Sequence, residues 1–240
     1  MSSPSPYVSV LTRKRTWAPT QVSAGLVKEG TRETLQRCLA LRHLELPVRD
    51  LLEAGLARDL PSTDGVVEAL KSNMADEERH DQALQFVVDA HGTHAKDEVT
   101  GFNIRDAWID HPDHPILKAA ILERSVFFVL LPFLRFAGDV GIRTVAADIS
   151  RDEQVHVAVH HMVASELGLK PSPSLNSLRR ATVDWVFTKL PGNGQLSGTF
   201  WQQASDNLYE RGKAPELSAT RSARMPAFFE ASNVDLPSYG

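Results

Sequence analysis

The chain has 240 residues, enough to bury a substantial core in one domain with room for a small second one. Its hydrophobic and charged fractions, 42% and 23%, are those of an ordinary globular protein, and a formal net charge of −4 argues against nucleic acid as a partner. A single cysteine, Cys38, excludes an intramolecular disulfide and fits a reducing, cytoplasmic setting.

In chain order, residues 1–30 are rich in Ser, Pro and Thr and read as an extended arm. "MSSPSPYVSVLTRKRTW" lacks the apolar core of a secretory signal. From Thr31 the pattern turns helical. "TRETLQRCLALRHLELPVRDLLEAGL" predicts a first long helix, kinked at Pro47 because proline removes a ladder bond and crowds the preceding turn. "PSTDG" supplies a turn. A second helix is predicted from about Gly65 to Ala90, followed by a polar connection containing "HPDHP". A third is predicted over Ile116–Ala137 and a fourth over Ile142–Leu167. The apolar run "VFFVLLPFL" in the third is half what a membrane span needs, so it reads as a core helix or a subunit contact. No stretch alternates strongly enough to predict a strand. Residues 31–170 therefore read as an all-α four-helix bundle. Residues 171–231 read as shorter helices near Leu175–Leu190, Leu196–Gly212 and Pro215–Ala231 packed on that bundle, and 232–240 as a tail.

The chemistry concentrates in two Glu-x-x-His motifs, Glu77/His80 in "DEERH" and Glu153/His156 in "DEQVH". Residues three apart on a helix lie roughly 60° apart, so each pair shares a face. One such pair is weak; one on the second and another on the fourth of four long helices is the ligand pattern of a two-metal bundle, which needs one more Glu from each remaining helix. Glu123 has only apolar same-face neighbours on the third helix, and Glu45 shares its face with Cys38, Leu41, Val48 and Leu52 on the first. Glu33, Glu53 and Glu78 read as solvated acids. Glu45 precedes Glu77 by 32 residues and Glu123 precedes Glu153 by 30, a two-helix unit used twice. Four carboxylates and two imidazoles suit two Fe and/or Mn ions, in Fe/Fe, Mn/Fe or Mn/Mn combinations. The competing reading is a bundle whose buried acids pair with arginine. His160, one turn beyond His156, reads as a polar-face residue, with support of a ligand as the alternative, and the other histidines as exposed or in loops.

Local sequence narrows the choice of chemistry. "ISRDEQVHVAVHHM" resembles the metal-binding helix of class I ribonucleotide reductase small (beta) subunits, in which an Asp directly precedes the Glu of the last Glu-x-x-His. "TWAP" resembles the Trp-x-Pro segment of their N-terminal arm, and "ILERSVFFVLLPFLRFAG" their third ligand helix. The resemblance covers roughly residues 15–165. It implies a ferritin-like bundle with Glu45, Glu77, His80, Glu123, Glu153 and His156 as ligands. It also implies Asp152 linking His80 to Trp17 as an electron route, Arg151 neutralising part of the acid cluster, and a homodimer. The partner would be a large (alpha) subunit that reduces ribonucleotides, with Tyr239 in the tail as a relay. Two features depart from the family. The chain is short, with a brief connection between its second and third helices. Leu84 also stands where many members carry the radical tyrosine, four residues after the first His. The alternatives left open are a self-contained di-iron oxidase or oxygenase acting on a small organic molecule, and iron storage.

Overall fold

A computed structural model describes residues 4–211. The described chain is helical, its one β-type contact being an isolated bridge between Pro191 and Ser197. The arm is not wholly extended: α1, Pro6–Leu11, begins at a Ser5 cap with proline in its first turn. Tyr7 of α1 is fully buried and donates to Glu166 Oε1 at 2.7 Å, tying the arm to the bundle.

The first long helix is α2 (Arg32–Ala40), a 3₁₀ turn (Leu41–Leu44) and α3 (Glu45–Leu56). The irregularity predicted at Pro47 falls one turn earlier. Proline cannot bond back to the His43 carbonyl and its ring crowds that group, so the ladder breaks upstream of the ring and α3 restarts at Glu45. α4 (Val66–His91) and α8 (Val140–Glu166) are the long uninterrupted helices, α8 capped by Asp139, which accepts from the Ile142 amide. Between them lie α5 (Ala95–Asp110), α6 (Pro115–Leu122), a π turn (Glu123–Phe127) and α7 (Phe128–Ala137).

α3 packs on α4, α4 on α8, α8 on α6 and α7, and α6 back on α3, which closes a ring of four around a common interior. The apolar run of the third helix is consumed inside this chain: Val126, Phe127, Val129, Leu130, Leu131, Phe133 and Leu134 are all buried. At ~1.5–3 kcal/mol per buried side chain of this kind, it is a principal source of the driving force for closing the bundle.

α5 corrects the expectation of a brief polar connection. It lies against α2 and the 3₁₀ turn, with Trp108 fully buried and its indole donating to Thr182. The C-terminal helices α9 (Pro173–Phe187) and α10 (Gly198–Arg211) pack on each other, on α7 and on the π turn. Phe133, Phe187 and Trp201 join α7, α9 and α10, with centroids 5.1 to 5.5 Å apart. The segment expected at Pro215–Ala231 and the tail lie outside the described residues. Among the described residues no helix is long and apolar enough to cross a membrane.

Candidate metal centre

The interior of the helix ring is not apolar throughout. At one level of it, Glu45 from α3, Glu77 and His80 from α4, Glu123 from the π turn, and Glu153 and His156 from α8 are all at most 1% exposed. The structure thus brings together all six residues proposed from spacing. Glu77, His80, Glu153 and His156 each offer a donor atom, and those four atoms lie within 4.8 Å of one another. Glu45 and Glu123 close the two ends: Glu45 Oε2 is 3.5 Å from His80 Nδ1, and Glu123 Oε1 is 3.6 Å from His156 Nδ1. Glu33, Glu53 and Glu78 are exposed, as expected, with Glu78 paired to Arg49.

Both imidazoles present Nδ1 to this interior and turn Nε2 outward to a carboxylate. His80 Nε2 is 3.3 Å from Asp152 Oδ2, and His156 Nε2 is 3.0 Å from Asp76 Oδ2. The arrangement is crossed, because each Asp sits immediately before the Glu of its own helix and supports the His of the other. A carboxylate on the outer nitrogen fixes the ring and its tautomer, leaving the inner nitrogen free to coordinate.

Eight buried donor or acceptor atoms facing inward make no hydrogen bond among the described residues. They are Glu45 Oε2, both oxygens of Glu77, His80 Nδ1, Glu123 Oε1, both oxygens of Glu153, and His156 Nδ1. Orphaned buried polar groups are costly, at about 1–3 kcal/mol each, and they rarely gather in one place. Here they converge on one volume with the chemistry of hard-to-borderline metal ligands, so the residues fit metal ions.

The electrostatics point the same way. Burial, with the Glu77 and Glu153 charges adding to it and His80 opposing it, pushes Glu45 up to about 8. Burial also works against the charged forms of Glu77 and Glu153, but the adjacent imidazoles outweigh it and hold both carboxyls below the ordinary range. The two imidazoles in turn are held well above their ordinary range against burial, by Asp152 and Glu153 at His80 and by Glu153 and Glu77 at His156. Protons on the imidazoles and on Glu45 therefore stand in for positive charge that the cluster otherwise needs.

The arm supplies the rest of the balance. Trp17 Nε1 donates to Asp152 Oδ2 at 2.7 Å, and its ring lies parallel to that of His80 with centroids 6.2 Å apart. Lys14 pairs with Asp76, and Arg79 bridges Asp76 and Asp152 while lying over the Trp17 ring. The two outer aspartates are thus matched by two cations, and the four inner glutamates are left for whatever binds between them. Arg151, expected to help neutralise the acids, instead faces outward and pairs with Asp148 at 3.0 Å. Arg79 and Lys14 do that work.

No family model, curated protein or solved structure matches the chain.

The site is therefore read on its own geometry, which adds two residues to the six. Asp76 was legible in the sequence, since "DEERH" and "DEQVH" both carry Asp before Glu. His160 is the other. It was expected on a polar face, yet it is fully buried, and its Nδ1 lies 2.5 Å from Glu123 Oε2. Its signal was a position one turn beyond His156, on the ligand face.

The backbone carries local deviations at the two single-Glu positions. The 3₁₀ turn ends at Leu44, immediately before Glu45, and the π turn begins at Glu123. A π turn inserts a residue into the helical count, re-aims the side chains beyond it, and needs outside partners for its carbonyls. α10 provides one of them, as Ser205 Oγ donates to the Ser125 carbonyl at 2.5 Å, and it receives a bond in return, as the Arg124 guanidinium donates to the Tyr209 carbonyl at 2.8 Å. The C-terminal helices thus brace the segment that presents Glu123. Tyr209 lies there, beneath Arg179, and Leu84 is buried on α4. Tyr239 lies outside the described residues.

Proposed function

We propose that this chain is a ferritin-like di-metal subunit, binding two Fe and/or Mn ions, that activates oxygen and delivers an oxidising equivalent to a separate large subunit for the reduction of ribonucleotides to deoxyribonucleotides. The observation that carries this reading is the path Trp17–Asp152–His80. One carboxylate oxygen, Asp152 Oδ2, accepts from the indole and lies against the outer nitrogen of an imidazole whose inner nitrogen faces the ligand cluster.

Bound ions of this type supply redox chemistry with dioxygen. The chain's residues supply position and charge. The four glutamates and two imidazoles, all buried, would hold the ions away from bulk water. Asp152 fixes the His80 ring and the Trp17 indole in one line. Against burial, His80 and the Trp17 indole hold the Asp152 carboxyl below its ordinary range, and Arg79 lies over that indole and against that carboxylate. An oxidising equivalent leaving along this line is an electron arriving through Trp17, which among the described residues is the aromatic side chain that joins arm and cluster by a hydrogen bond. Tyr239 in the tail would continue the route toward the large subunit.

The test is ribonucleotide reduction with a matching large subunit, using Trp17→Phe and Asp152→Asn. Both variants should keep their metal and lose reduction. Full activity in both would defeat the transfer path.

Leu84 favours a second reading, a self-contained di-iron oxidase acting on a small organic molecule, because it places a buried aliphatic side chain where a radical tyrosine would stand. Oxygen uptake by the isolated chain separates the two. A radical-generating subunit consumes oxygen once per centre, whereas an oxidase turns over with its substrate.

A further inference from the structure

The repeat that builds the centre can be traced one turn beyond the ligands, and there it breaks. Four residues after His80 is Leu84, and four after His156 is His160. Four residues before Glu153 is Ile149, and four before Glu77 is Asn73. All four are buried, three of them completely. Leu84 thus corresponds to His160 and Ile149 to Asn73, so the repeat sets a hydrocarbon pair, Leu84 and Ile149, against a polar pair, His160 and Asn73.

The polar pair is wired to a single ligand. Asn73 Nδ2 lies 3.2 Å from His160 Nε2 and donates into the ring, so that Nδ1 carries the ring hydrogen. That Nδ1–H points at Glu123 Oε2, 2.5 Å away. One oxygen of Glu123 is thereby engaged on its outer side, and Oε1, near His156 Nδ1, is the oxygen left without a partner. Glu45 is the corresponding carboxylate at the other end, and the positions that match His160 and Asn73 there are hydrocarbon.

We infer that His160 and Asn73 are a positioning pair that restrains Glu123 to one inward oxygen, making the two metal positions unequal: the Glu123/His156 position binds more tightly, and the Glu45/His80 position is the weaker and more easily rearranged one. Restraint of a ligand by an outer hydrogen bond is worth about ten- to a hundredfold in metal affinity. The inference rests on the di-metal reading of the centre but not on the reaction it serves.

The experiment is titration of the metal-free full chain with Mn²⁺, followed calorimetrically and by EPR of the unbound ion. The wild-type chain should bind in two steps of unequal affinity. His160→Leu should weaken the tighter step about ten- to a hundredfold and leave the other unchanged. Asn73→Ile, which keeps the histidine but frees its ring, should move the same step in the same direction. His160→Asn, whose amide can sit where Nδ1 does, should restore much of the difference. Two equal steps in the wild-type chain, or equal weakening of both steps in Asn73→Ile, would overturn the inference even if His160→Leu failed to fold. No Mn²⁺ binding at all would instead overturn the metal centre itself.

Discussion

Replacing Glu45 with Gln should change stability in opposite directions with and without metal. In the metal-free chain, burial and the neighbouring Glu77 and Glu153 raise Glu45 from its ordinary 4.5 to about 8. A carboxyl harder to ionise when folded than when unfolded carries a penalty that is absent below about pH 4.5, grows with pH and levels off above about 8. At ~1.4 kcal/mol per pKa unit, the penalty at pH 7 is about 3 kcal/mol, and at pH 6 about 2 kcal/mol. Gln has the shape of the protonated acid and cannot ionise, so it removes the penalty. For a chain of this size about 3 kcal/mol corresponds to a Tm higher by roughly 6–12 °C. With excess Mn²⁺ the sign reverses, because a ligand has been lost and each tenfold drop in affinity removes about 1.4 kcal/mol of metal-linked stabilisation per site. The assay is thermal unfolding by circular dichroism at pH 6 and 7, with chelator and with Mn²⁺. In chelator the variant should melt above the wild type, by more at pH 7 than at pH 6; in Mn²⁺ it should melt below. A variant that melts below the wild type in chelator would mean that Glu45 is an anion structurally paired with His80, and the interior would need no metal.

Two predictions concern how α5 is held against the segment that leads into Glu45. A methyl group on Gly101 would lie 2.6 Å from the Ala40 carbonyl, so Gly101→Ala should push α5 off the 3₁₀ turn and cost about 1–3 kcal/mol in a denaturant titration. Glu98 reaches the same turn: burial opposes its charge, but Arg42, Thr93 and His43 outweigh burial and hold it down to about 2. The stability it contributes is present above about pH 4.5 and is lost as pH falls toward 2. Glu98→Gln should cost about 1 kcal/mol at pH 7, given solvent screening, and flatten the acid limb of the stability profile between those values.

The long helices and all six inward residues were legible because both depend on period. α4 and α8 are regular for 26 and 27 residues, so a Glu-x-x-His read from spacing stays on one face. What was not legible depends on contacts rather than on period. The buried face of α5 consists of Asp97, Gly101 and Trp108, too few apolar positions to give a helical stripe, and the helix is held by Trp108 and by ion pairs to α2 and the 3₁₀ turn. The π turn is specified by α10, from a Ser205 that no local pattern connects to Ser125. His160 was misread because His is polar by composition; its burial comes from the partners Glu123 and Asn73, which belong to two other helices.

The crossed aspartates show why fold and centre specify each other. Asp76 and Glu77 are adjacent on α4, about 100° apart, so one faces the ligand cluster while the other reaches the far side of His156 on α8. Asp152 and Glu153 do the same toward His80. Turning either helix by one residue would withdraw the inner carboxylate from the cluster and the outer one from its imidazole together. It would also part Asp152 from Trp17 and Asp76 from Lys14, and so detach the arm. The register of α4 on α8 is therefore held by polar contacts as well as by packing. Those contacts are fully satisfied only when the four remaining negative charges in the middle are matched. The sequence "DEQVH" places two adjacent acids in a buried helix for that reason: one belongs to the centre, and the other belongs to the imidazole across it.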